Sequence, residues 1–278
     1  MIEIIKAIIL GIIEGITEWL PVSSTGHMIL VDEFLKLDAS EGFKELFFVV
    51  IQLGAIISVP VLFFDKLNPF GKNKSNDHKS KILSLWGKVI VGVAPAAIIG
   101  VLFDDWFDEH FYNYIVVALA LILYGVVFIV IEKCKNNRED ASYSVNDVYD
   151  ITYKDALKIG AFQVLSLIPG TSRSGSTIIG GMISGISRSA SAEFSFFMAI
   201  PIMLGASLLK VFKFIVAGLT MTSLEVWILI VGIFVSFVVS LVSIKFLIEF
   251  VRRHDFSVFG IYRIVLGIIV ILYFMLSK

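Results

Sequence analysis

The sequence predicts an all-α polytopic membrane protein with six full transmembrane helices and two re-entrant helical hairpins in an inverted-topology repeat. Three observations carry this prediction: the composition, the spacing of long apolar runs, and the distribution of lysine and arginine between those runs. Hydrophobic residues make up 57% of the 278 residues and charged residues only 17%, against about 25% charged residues in an ordinary soluble domain. The mean hydropathy is +0.90. A soluble globular enzyme and a disordered chain are therefore excluded.

Charge and cysteine content narrow the functional classes further. The 23 lysine and arginine residues nearly balance the 24 aspartate and glutamate residues, for a net charge of −1, so nothing in the composition indicates a nucleic-acid partner. The single Cys134 excludes a disulfide framework and a cysteine-based metal site. The sequence leaves the oligomeric state open.

Six apolar runs are close to the length that a membrane-spanning helix requires, about 20 residues. One of them is shorter but continues past Lys210, and another contains Arg263. The six runs cover residues 46–64, 82–103, 111–131, 194–209, 226–244 and 256–277.

The connections between these runs alternate in their content of lysine and arginine. Taken in chain order, the five connections carry 5, 0, 5, 0 and 2 such residues. Basic connections remain in the cytoplasm, so the first, third and fifth are predicted to be cytoplasmic. These connections are residues 65–81, 104–110, 133–158, 214–225 and 251–255.

Two further apolar segments, residues 7–28 and 159–187, are interrupted by polar residues and proline. The charge series makes the second segment begin and end in the cytoplasm, so we expect it to dip into the membrane and return as a re-entrant hairpin. By analogy, we expect the first segment to dip in from the opposite side. A broken backbone at that depth is tolerated only where protein or a water-filled cavity satisfies its polar groups.

Weak internal similarity relates the two halves of the chain. Pro21-Val-Ser-Ser parallels Pro169-Gly-Thr-Ser at an offset of 148 residues. We expect a single membrane domain over residues 1–278, with a first repeat at 1–135 that contains the extracytoplasmic hairpin and a second at 150–278 that contains the cytoplasmic one. Each repeat holds three crossings, an odd number, so the halves are inverted relative to each other. Inverted repeats with broken helices usually place a binding site near the middle of the membrane.

The first interrupted segment contains an acidic pair. Glu14 and Glu18 are four residues apart and therefore lie on one face of a helical turn. A charged side chain at membrane depth costs at least about 2.5–3.5 kcal/mol on insertion scales, and two like charges repel unless a cation lies between them. Paired carboxylates supply hard oxygen ligands that suit Mg²⁺ or Ca²⁺. The alternative is that both glutamates lie at the membrane interface.

A hydroxyl-rich run, Ser23-Ser-Thr-Gly-His27, follows the acidic pair. A hydroxyl becomes a nucleophile when a base lies nearby, and His27 is three residues after Ser24. Ser24 is therefore a candidate nucleophile with His27 as its base. The alternative is a serine-rich helix N-cap with His27 at a membrane interface.

The second interrupted segment contains hydroxyls, glycines and one arginine in the run Pro169-Gly-Thr-Ser-Arg-Ser-Gly-Ser-Thr177, ahead of an expected helix at 178–186. A helix N-terminus offers unpaired N–H groups to phosphate, and the guanidinium of Arg173 adds a bidentate grip. The sequence thus predicts a phosphate cradle. The alternative is a capped loop in which Arg173 pairs with a glutamate of the other half.

Two other polar side chains lie within the apolar runs. We expect Arg263 to face the bundle interior, where it either pairs with a glutamate or holds a second phosphate. We expect Gln52 to make a structural hydrogen bond.

Together, Glu14-x-x-x-Glu18 with Pro21-Val-Ser-Ser-Thr-Gly-His27, and the run that contains Arg173, resemble the motifs of the bacterial undecaprenyl pyrophosphate phosphatase family, the bacitracin-resistance type of integral membrane enzyme. The resemblance covers the whole chain. It implies removal of the terminal phosphate from undecaprenyl pyrophosphate, recycling of this lipid carrier for peptidoglycan synthesis, and resistance to bacitracin. It also implies a divalent metal and an active site on the extracytoplasmic side of the bacterial cytoplasmic (inner) membrane.

With this resemblance, a mechanism can be assigned as a hypothesis. Glu14 and Glu18 bind the metal (Mg²⁺ or Ca²⁺), Arg173 holds the pyrophosphate, and Ser24 attacks with His27 as base or acid; attack by His27 itself or by a metal-activated water stays open. The catalytic set is thus Glu18, Ser24, His27 and Arg173. The expected substrate-binding residues are Ser23, Thr25, Gly26, Thr171, Ser172, Ser174, Thr177 and Arg263.

Two other classes of function are compatible with a broken-helix architecture. A lipid-phosphate flippase or ion-coupled transporter also uses inverted repeats, and a structural or pore-forming protein would need no reactive groups. An enzyme releases inorganic phosphate without a gradient, and a carrier does not. The hydroxyl, histidine and arginine runs favour the enzyme, including one that also flips its product.

Overall fold

A computed structural model describes residues 1–71, 74–136 and 143–276, without the side chains of residues 104, 108, 135 and 136. Over this part of the chain the protein is all-helical, with eleven α-helices and no β-strand. Lys72 and Arg138, which contribute to the charge series, and residue 277 at the end of the last predicted run lie outside the described residues.

Among the described residues, six helices are long and apolar enough to cross a membrane, in agreement with the six predicted apolar runs. Each of them contains most or all of one of the six predicted apolar runs. They are α3 (Glu41–Leu62), α5 (Asn76–Phe111), α6 (Tyr114–Asn136), α9 (Arg188–Val216), α10 (Ser223–Arg253) and α11 (Ser257–Leu276).

Several long helices extend beyond the apolar runs because polar residues cap them. Ser187 accepts a hydrogen bond from the N–H of Ala190 at 3.3 Å and starts α9 six residues before the predicted run at 194. Thr222 and Glu225 form a reciprocal capping box that starts α10. Side-chain oxygens at these positions satisfy N–H groups that have no partner within the helix.

The two interrupted segments form pairs of short helices joined by a break. The first pair is α1 (Ile2–Thr17) with α2 (Ser24–Phe34), and the second is α7 (Tyr153–Val164) with α8 (Arg173–Ile183); a single turn, α4 (Phe64–Leu67), follows α3. With 11 to 16 residues each, the paired helices are shorter than the ~20 residues of a crossing.

The start of α8 differs from the sequence prediction. The run Arg173–Thr177 was expected to be a loop before a helix at 178–186, but α8 begins at Arg173. Ser172 is its N-cap and accepts a hydrogen bond from the N–H of Gly175 at 3.1 Å. Because the cap is Ser172, directly before this run, Arg173 lies in the first helical turn.

Small residues bring the helices into close contact, as is usual within membranes. A Cβ atom on Gly15 of α1 would stand 2.8 Å from the carbonyl oxygen of Ser236 on α10. A Cβ atom on Gly260 of α11 would stand 2.7 Å from the carbonyl oxygen of Gly125 on α6. The paired helices and the long helices therefore pack backbone to backbone.

An aromatic cluster supports the break between α1 and α2. Trp19 is fully buried, and its ring meets Phe196 of α9 edge-on with a centroid distance of 5.2 Å. Phe197 packs edge-on against Phe63 at the end of α3, also at 5.2 Å. These contacts fix the first break against α9 and α3.

A buried ion pair joins three long helices. Glu132 near the end of α6 is 0% exposed. It accepts hydrogen bonds from the guanidinium of Arg188 at the start of α9 and from the N–H of Phe256, just before α11, at 3.0 Å. Removing one partner of such a pair leaves an uncompensated buried charge, so Glu132 fixes the mutual positions of these helix ends.

Candidate active site

The two breaks meet around a shared hollow of about 180 Å³. The acidic side chain of one segment and the cationic side chain of the other both face it, together with the N-terminal residues of α2 and α8. Its polar lining consists of Glu18, Ser23, Ser24, Thr25, Gln52, Ser166, Ser172 and Arg173.

Glu18 is the centre of the polar contacts in the hollow. One carboxylate oxygen accepts a hydrogen bond from Nη2 of Arg173 at 2.9 Å, and the other accepts from Oγ of Ser24 at 3.0 Å. The Glu18 and Arg173 side chains are only 8% and 11% exposed. The sequence left open whether Arg173 pairs with a glutamate of the other half, and in this structure it does so, with Glu18.

Arg173 is held from two sides. Its Nη1 donates to the carbonyl oxygen of Ser195 on α9 at 2.8 Å, and its guanidinium carbon lies 5.7 Å from the centroid of the Trp19 ring. A cation within about 6 Å of an aromatic centroid is attracted to the ring face. These contacts aim the guanidinium into the hollow at the N-terminal end of α8.

The caps of α2 and α8 share one unusual backbone conformation. Ser23 has φ 73° and ψ 101°, and Ser172 has φ 74° and ψ 119°; they are the only non-glycine residues with positive φ in the described part of the chain. Each accepts a hydrogen bond from the N–H three residues later, at Gly26 and Gly175. Such conformations cost about 1–3 kcal/mol and cluster at functional sites.

His27 is placed differently from the expectation. Its Nδ1 donates to the carbonyl oxygen of Ser23 at 2.7 Å, so in the neutral ring Nε2 accepts the hydroxyl of Tyr262, also at 2.7 Å. The two rings are stacked at a centroid distance of 5.6 Å. The structure therefore gives Ser24 a hydrogen bond to Glu18 and not to His27, because the helical turn that follows Ser23 carries the imidazole toward α11.

Glu14 lies behind the hollow. It is 1% exposed, its Oε1 has no hydrogen-bond partner in the described structure, and its carbonyl oxygen accepts the N–H of Glu18 at 3.0 Å. Among the described residues, no group of three or more His, Cys, Asp or Glu side chains is placed to hold a metal ion. The protein thus supplies two carboxylates, one of them with an unpaired buried oxygen.

Arg263 does not line the hollow, and in the described structure its guanidinium is bonded to backbone carbonyls instead of the expected glutamate. Its side chain is 0% exposed. The guanidinium donates to the carbonyl oxygens of Pro21 at 3.2 Å and of Gly170 and Thr171 at 2.9 Å. Pro21 belongs to the first break, and Gly170 and Thr171 belong to the second. Because these residues are not helical, their carbonyl oxygens lack the backbone hydrogen bonds that a helix would provide. Arg263 therefore joins the two breaks from behind.

The remaining predicted residues divide into two groups. Thr25 faces the hollow, and Gly26 packs closely against Leu121, which would stand 3.0 Å from a Cβ at that position. The others support the breaks: Ser174 donates to the carbonyl oxygen of Glu18 at 3.1 Å, Thr177 is hydrogen-bonded to Ser195 at 2.7 Å, and Thr171 is buried.

Sequence reasoning missed several contributors to the site. Gln52 of α3 and Ser166 face the hollow, Ser195 holds Arg173, and Tyr262 holds His27. The sequence analysis assigned Gln52 only a structural hydrogen bond. Its position as an amide in the middle of an uncharged apolar run was a signal that could have identified it as a site residue.

Comparison with known proteins gives a consistent result. The family model described as bacitracin resistance protein BacA matches residues 7–269. The undecaprenyl-diphosphatase of Enterococcus faecalis (strain ATCC 700802 / V583) is 57% identical over 272 residues, 98% of this chain and 98% of the relative. Undecaprenyl-diphosphatase 1 of Clostridioides difficile (strain 630) is 57% identical over 99% of this chain and 98% of the relative. The corresponding protein of Desulfitobacterium hafniense (strain DSM 10664 / DCB-2) is 54% identical over 99% and 97%.

The residues that the family model matches include the acidic pair, both breaks, five of the long helices with most of the sixth, and the residues that enclose the hollow. The similarity is therefore not confined to one motif or one half of the chain. Its extent and the six apolar helices make the chain a multi-pass membrane protein, and it belongs to the bacitracin resistance protein BacA family.

Proposed function

We propose that this protein is an undecaprenyl-diphosphatase, which hydrolyses undecaprenyl pyrophosphate to undecaprenyl phosphate and inorganic phosphate. The activity for which relatives that are 54–57% identical over nearly the whole chain are named supports this proposal. The observation that carries it is the hollow in which Glu18, Arg173 and the N-termini of α2 and α8 meet. A transporter is not favoured, since the same relatives are named for hydrolysis.

The hollow is suited to an anionic headgroup. The first N–H groups of a helix have no partner within it and carry a partial positive charge, and two such helix ends, at Ser24 and Arg173, border the same space. The guanidinium adds a planar fork for phosphate oxygens. In our proposal the pyrophosphate displaces Glu18 from Arg173 and takes its place on the guanidinium.

Ser24 is the nucleophile that the geometry favours, with Glu18 accepting its proton. Oγ of Ser24 bonds to the terminal phosphorus, the anhydride P–O bond breaks, and undecaprenyl phosphate leaves. Water then hydrolyses the phosphoserine to release inorganic phosphate. The hydrogen bond from Ser24 to Glu18 at 3.0 Å supports this assignment. Attack by His27 or by a water is the alternative mechanism, and the variant Ser24→Ala distinguishes between them.

The acidic pair fits a divalent ion. Glu14 has a buried oxygen without a partner, and Glu18 is freed when substrate takes over Arg173. Mg²⁺ is commonly held by one or two carboxylates together with substrate phosphates, so two protein carboxylates are sufficient. When bound, such an ion, Mg²⁺ or Ca²⁺, would neutralise charge on the pyrophosphate.

We further propose that each pair of short helices is a re-entrant hairpin and that residues 1–135 and 150–278 are inverted repeats. The similar backbone conformations of Ser23 and Ser172 support a common ancestry of the two breaks. These caps are 149 positions apart, one more than the offset of 148 between Pro21 and Pro169. The charge series supports a cytoplasmic origin for the second hairpin. The protein then lies in the cytoplasmic membrane with its site open to the extracytoplasmic side, where it recycles the carrier lipid and protects against bacitracin.

One assay tests the proposed activity and its metal dependence. Purified protein in detergent is given undecaprenyl pyrophosphate, and inorganic phosphate is measured with Mg²⁺ or Ca²⁺, with EDTA, and after the ion is restored. We expect phosphate release that EDTA abolishes and that either or both ions restore. No release under any condition would refute the hydrolase, and full release in EDTA would refute the role assigned to the acidic pair.

A further inference from the structure

Both breaks hold the carbonyl oxygen of their N-cap serine in the same way. Ser23 and Ser172 have positive φ, a conformation that persists only where the surrounding structure over-determines it. The carbonyl oxygen of Ser172 accepts from the N–H of Ser176 at 2.9 Å and from its hydroxyl at 3.0 Å. The carbonyl oxygen of Ser23 accepts from the N–H of His27 at 3.4 Å and from its ring Nδ1 at 2.7 Å. In each break, the side chain four residues after the cap therefore adds a second hydrogen bond to the cap carbonyl.

A tyrosine from the opposite half of the chain contacts each of these two side chains. The hydroxyl of Tyr262 on α11 lies 2.7 Å from Nε2 of His27. Tyr124 on α6 makes a polar side-chain contact with Ser176. In the proposed repeats, α6 and α11 are the last crossings of the two halves, so the two tyrosines belong to corresponding helices. The contact of Tyr262 with His27 is thus one of a related pair.

The two partners of His27 define which ring nitrogen carries the proton. A carbonyl oxygen only accepts hydrogen bonds, so Nδ1 is protonated and points to Ser23. In the neutral ring Nε2 then accepts from the hydroxyl of Tyr262, and the partner of one ring nitrogen sets the state of the other. The two rings are also nearly parallel, with an angle of 9° between their planes. Tyr262 therefore fixes both the orientation and the tautomer of His27.

The carbonyl group that His27 holds is directly linked to the candidate nucleophile. The carbonyl of Ser23 and the nitrogen and Cα of Ser24 lie in one peptide plane, so fixing this oxygen fixes where the side chain of Ser24 begins. The hydroxyl of Ser24 donates to Glu18 at 3.0 Å. A reacting group that is misplaced by about 1 Å can cost about 10²-fold in rate. The reactivity of Ser24 thus depends on the hydrogen bond that holds the carbonyl before it.

We propose that Tyr262 is a positioning residue for the hydrolysis: through His27 it holds the carbonyl of Ser23 and keeps the hydroxyl of Ser24 on Glu18. The inference rests on the proposed function, which assigns the attack to Ser24. Tyr262 does not line the hollow and therefore touches neither the substrate nor the reacting atoms. In this arrangement His27 is a hydrogen-bond donor to the backbone, and no proton of the reaction passes through it.

The variant Tyr262→Phe removes the hydroxyl and keeps the ring. We expect kcat for undecaprenyl pyrophosphate to fall about 10–100-fold with KM little changed, because Arg173 still faces the hollow. Tyr273→Phe is the matched control, since Tyr273 lies on the same helix and contacts α2 through its ring, 5.1 Å from that of Phe34. We expect this control to match the unsubstituted protein. Equal kcat values for the two variants, or a change in thermal midpoint alone, would overturn the proposal.

A second variant, His27→Asn, tests whether Tyr262 acts through the ring. The asparagine amide nitrogen takes the place of Nδ1 and keeps a donor for the carbonyl of Ser23, but it has no atom in place of Nε2. We expect His27→Asn to release clearly more phosphate than His27→Ala, and Tyr262→Phe to cause no further loss in the asparagine background. Equal impairment by asparagine and alanine, or an undiminished further loss from Tyr262→Phe, would contradict a positioning role.

Nitrogen-15 NMR of protein with labelled histidine reads the state of the ring without turnover. His27 is one of four histidines, so the resonances that disappear in His27→Asn identify it. We expect a protonated Nδ1 and an unprotonated Nε2 at neutral pH, and a ring protonated at Nε2 would overturn the proposal. The expected ring state in a protein that releases no phosphate would refute the proposed hydrolase, and with it the role of Tyr262 in catalysis, but not the contact itself.

Discussion

At the scale of single residues, the defining contact is that of Glu18 with partners from two different helices. Arg173 and Ser24 donate to its two carboxylate oxygens at 2.9 and 3.0 Å. Hydrogen bonds to a charged acceptor are about twice as strong as neutral ones. Glu18 therefore holds Ser24, the candidate nucleophile, and Arg173, the candidate phosphate-binding residue, in fixed positions before substrate binds.

Ser24→Ala tests whether the hydroxyl next to Glu18 is the attacking group. Loss of a nucleophile costs several orders of magnitude in kcat, so we expect a fall of at least about 10³-fold. Ser166→Ala is the control, because Ser166 also faces the hollow but its hydroxyl donates to the carbonyl oxygen of Gln163 at 2.6 Å. Phosphate release by Ser24→Ala at the rate of Ser166→Ala would eliminate the serine mechanism and leave His27 or water.

Arg263 joins the two breaks, and its loss is expected to affect stability rather than chemistry alone. Arg263→Met would leave the carbonyl oxygens of Pro21, Gly170 and Thr171 without this donor, and an unsatisfied buried acceptor costs about 1–3 kcal/mol. We expect a clearly lower thermal midpoint in detergent. Arg253→Met, at an exposed arginine, should leave the midpoint unchanged; equal midpoints for the two variants would contradict the structural role of Arg263.

At the scale of elements, the short helices are held in place by close packing against the long ones. The N-terminal end of α7 is capped by Thr152 and Asp155, and its Gly160 faces the backbone of Gly92 on α5. Such approaches are possible only where a side chain is missing. The positions of the breaks thus depend on glycines that are distant from the chemistry.

Gly160→Val is expected to destabilise the protein, because its Cβ would overlap the carbonyl of Gly92. Overpacking of this kind costs about 1–3 kcal/mol, and loss of the α5–α7 contact would also displace Arg173. Gly205→Ala is the control, since its Cβ meets nothing within 4 Å. Thermal midpoint and phosphate release should both fall in Gly160→Val only; a valine variant as stable as Gly205→Ala would show that the contact is not needed.

At the scale of the whole molecule, orientation in the membrane follows from the charge series and is open to direct measurement. Cys134 is the only cysteine, so a Cys134→Ser background accepts single cysteines at Ser75, after α4, or Thr220, before α10. In intact cells we expect a membrane-impermeant maleimide to label Thr220→Cys and not Ser75→Cys. The reverse pattern would invert the proposed topology.

The six long helices were predictable because length and hydropathy are local properties of the sequence. The acidic pair, Glu14 and Glu18, and the run that contains Arg173 were predictable as parts of one site, because charged side chains are rare within membrane-embedded segments. The contacts of His27 with Tyr262 and of Glu132 with Arg188 were not, since these partners are 235 and 56 residues apart. The helical start at Arg173 was missed because its cap, Ser172, has a backbone conformation that serine rarely adopts.

The central claim is that Glu18 and Arg173 act as one unit on a pyrophosphate headgroup. A double-mutant cycle of Glu18→Gln and Arg173→Lys, read as phosphate release from undecaprenyl pyrophosphate, tests it directly, with the exposed pair Glu249→Gln and Arg252→Lys as control. We expect each single variant to lose about 10²-fold or more, because glutamine weakens the acidic partner and lysine loses the bidentate fork. We expect the double variant to lose far less than the product of the two, because residues of one unit are not additive. A single variant that works at the control rate, or two losses that multiply fully, would contradict the account.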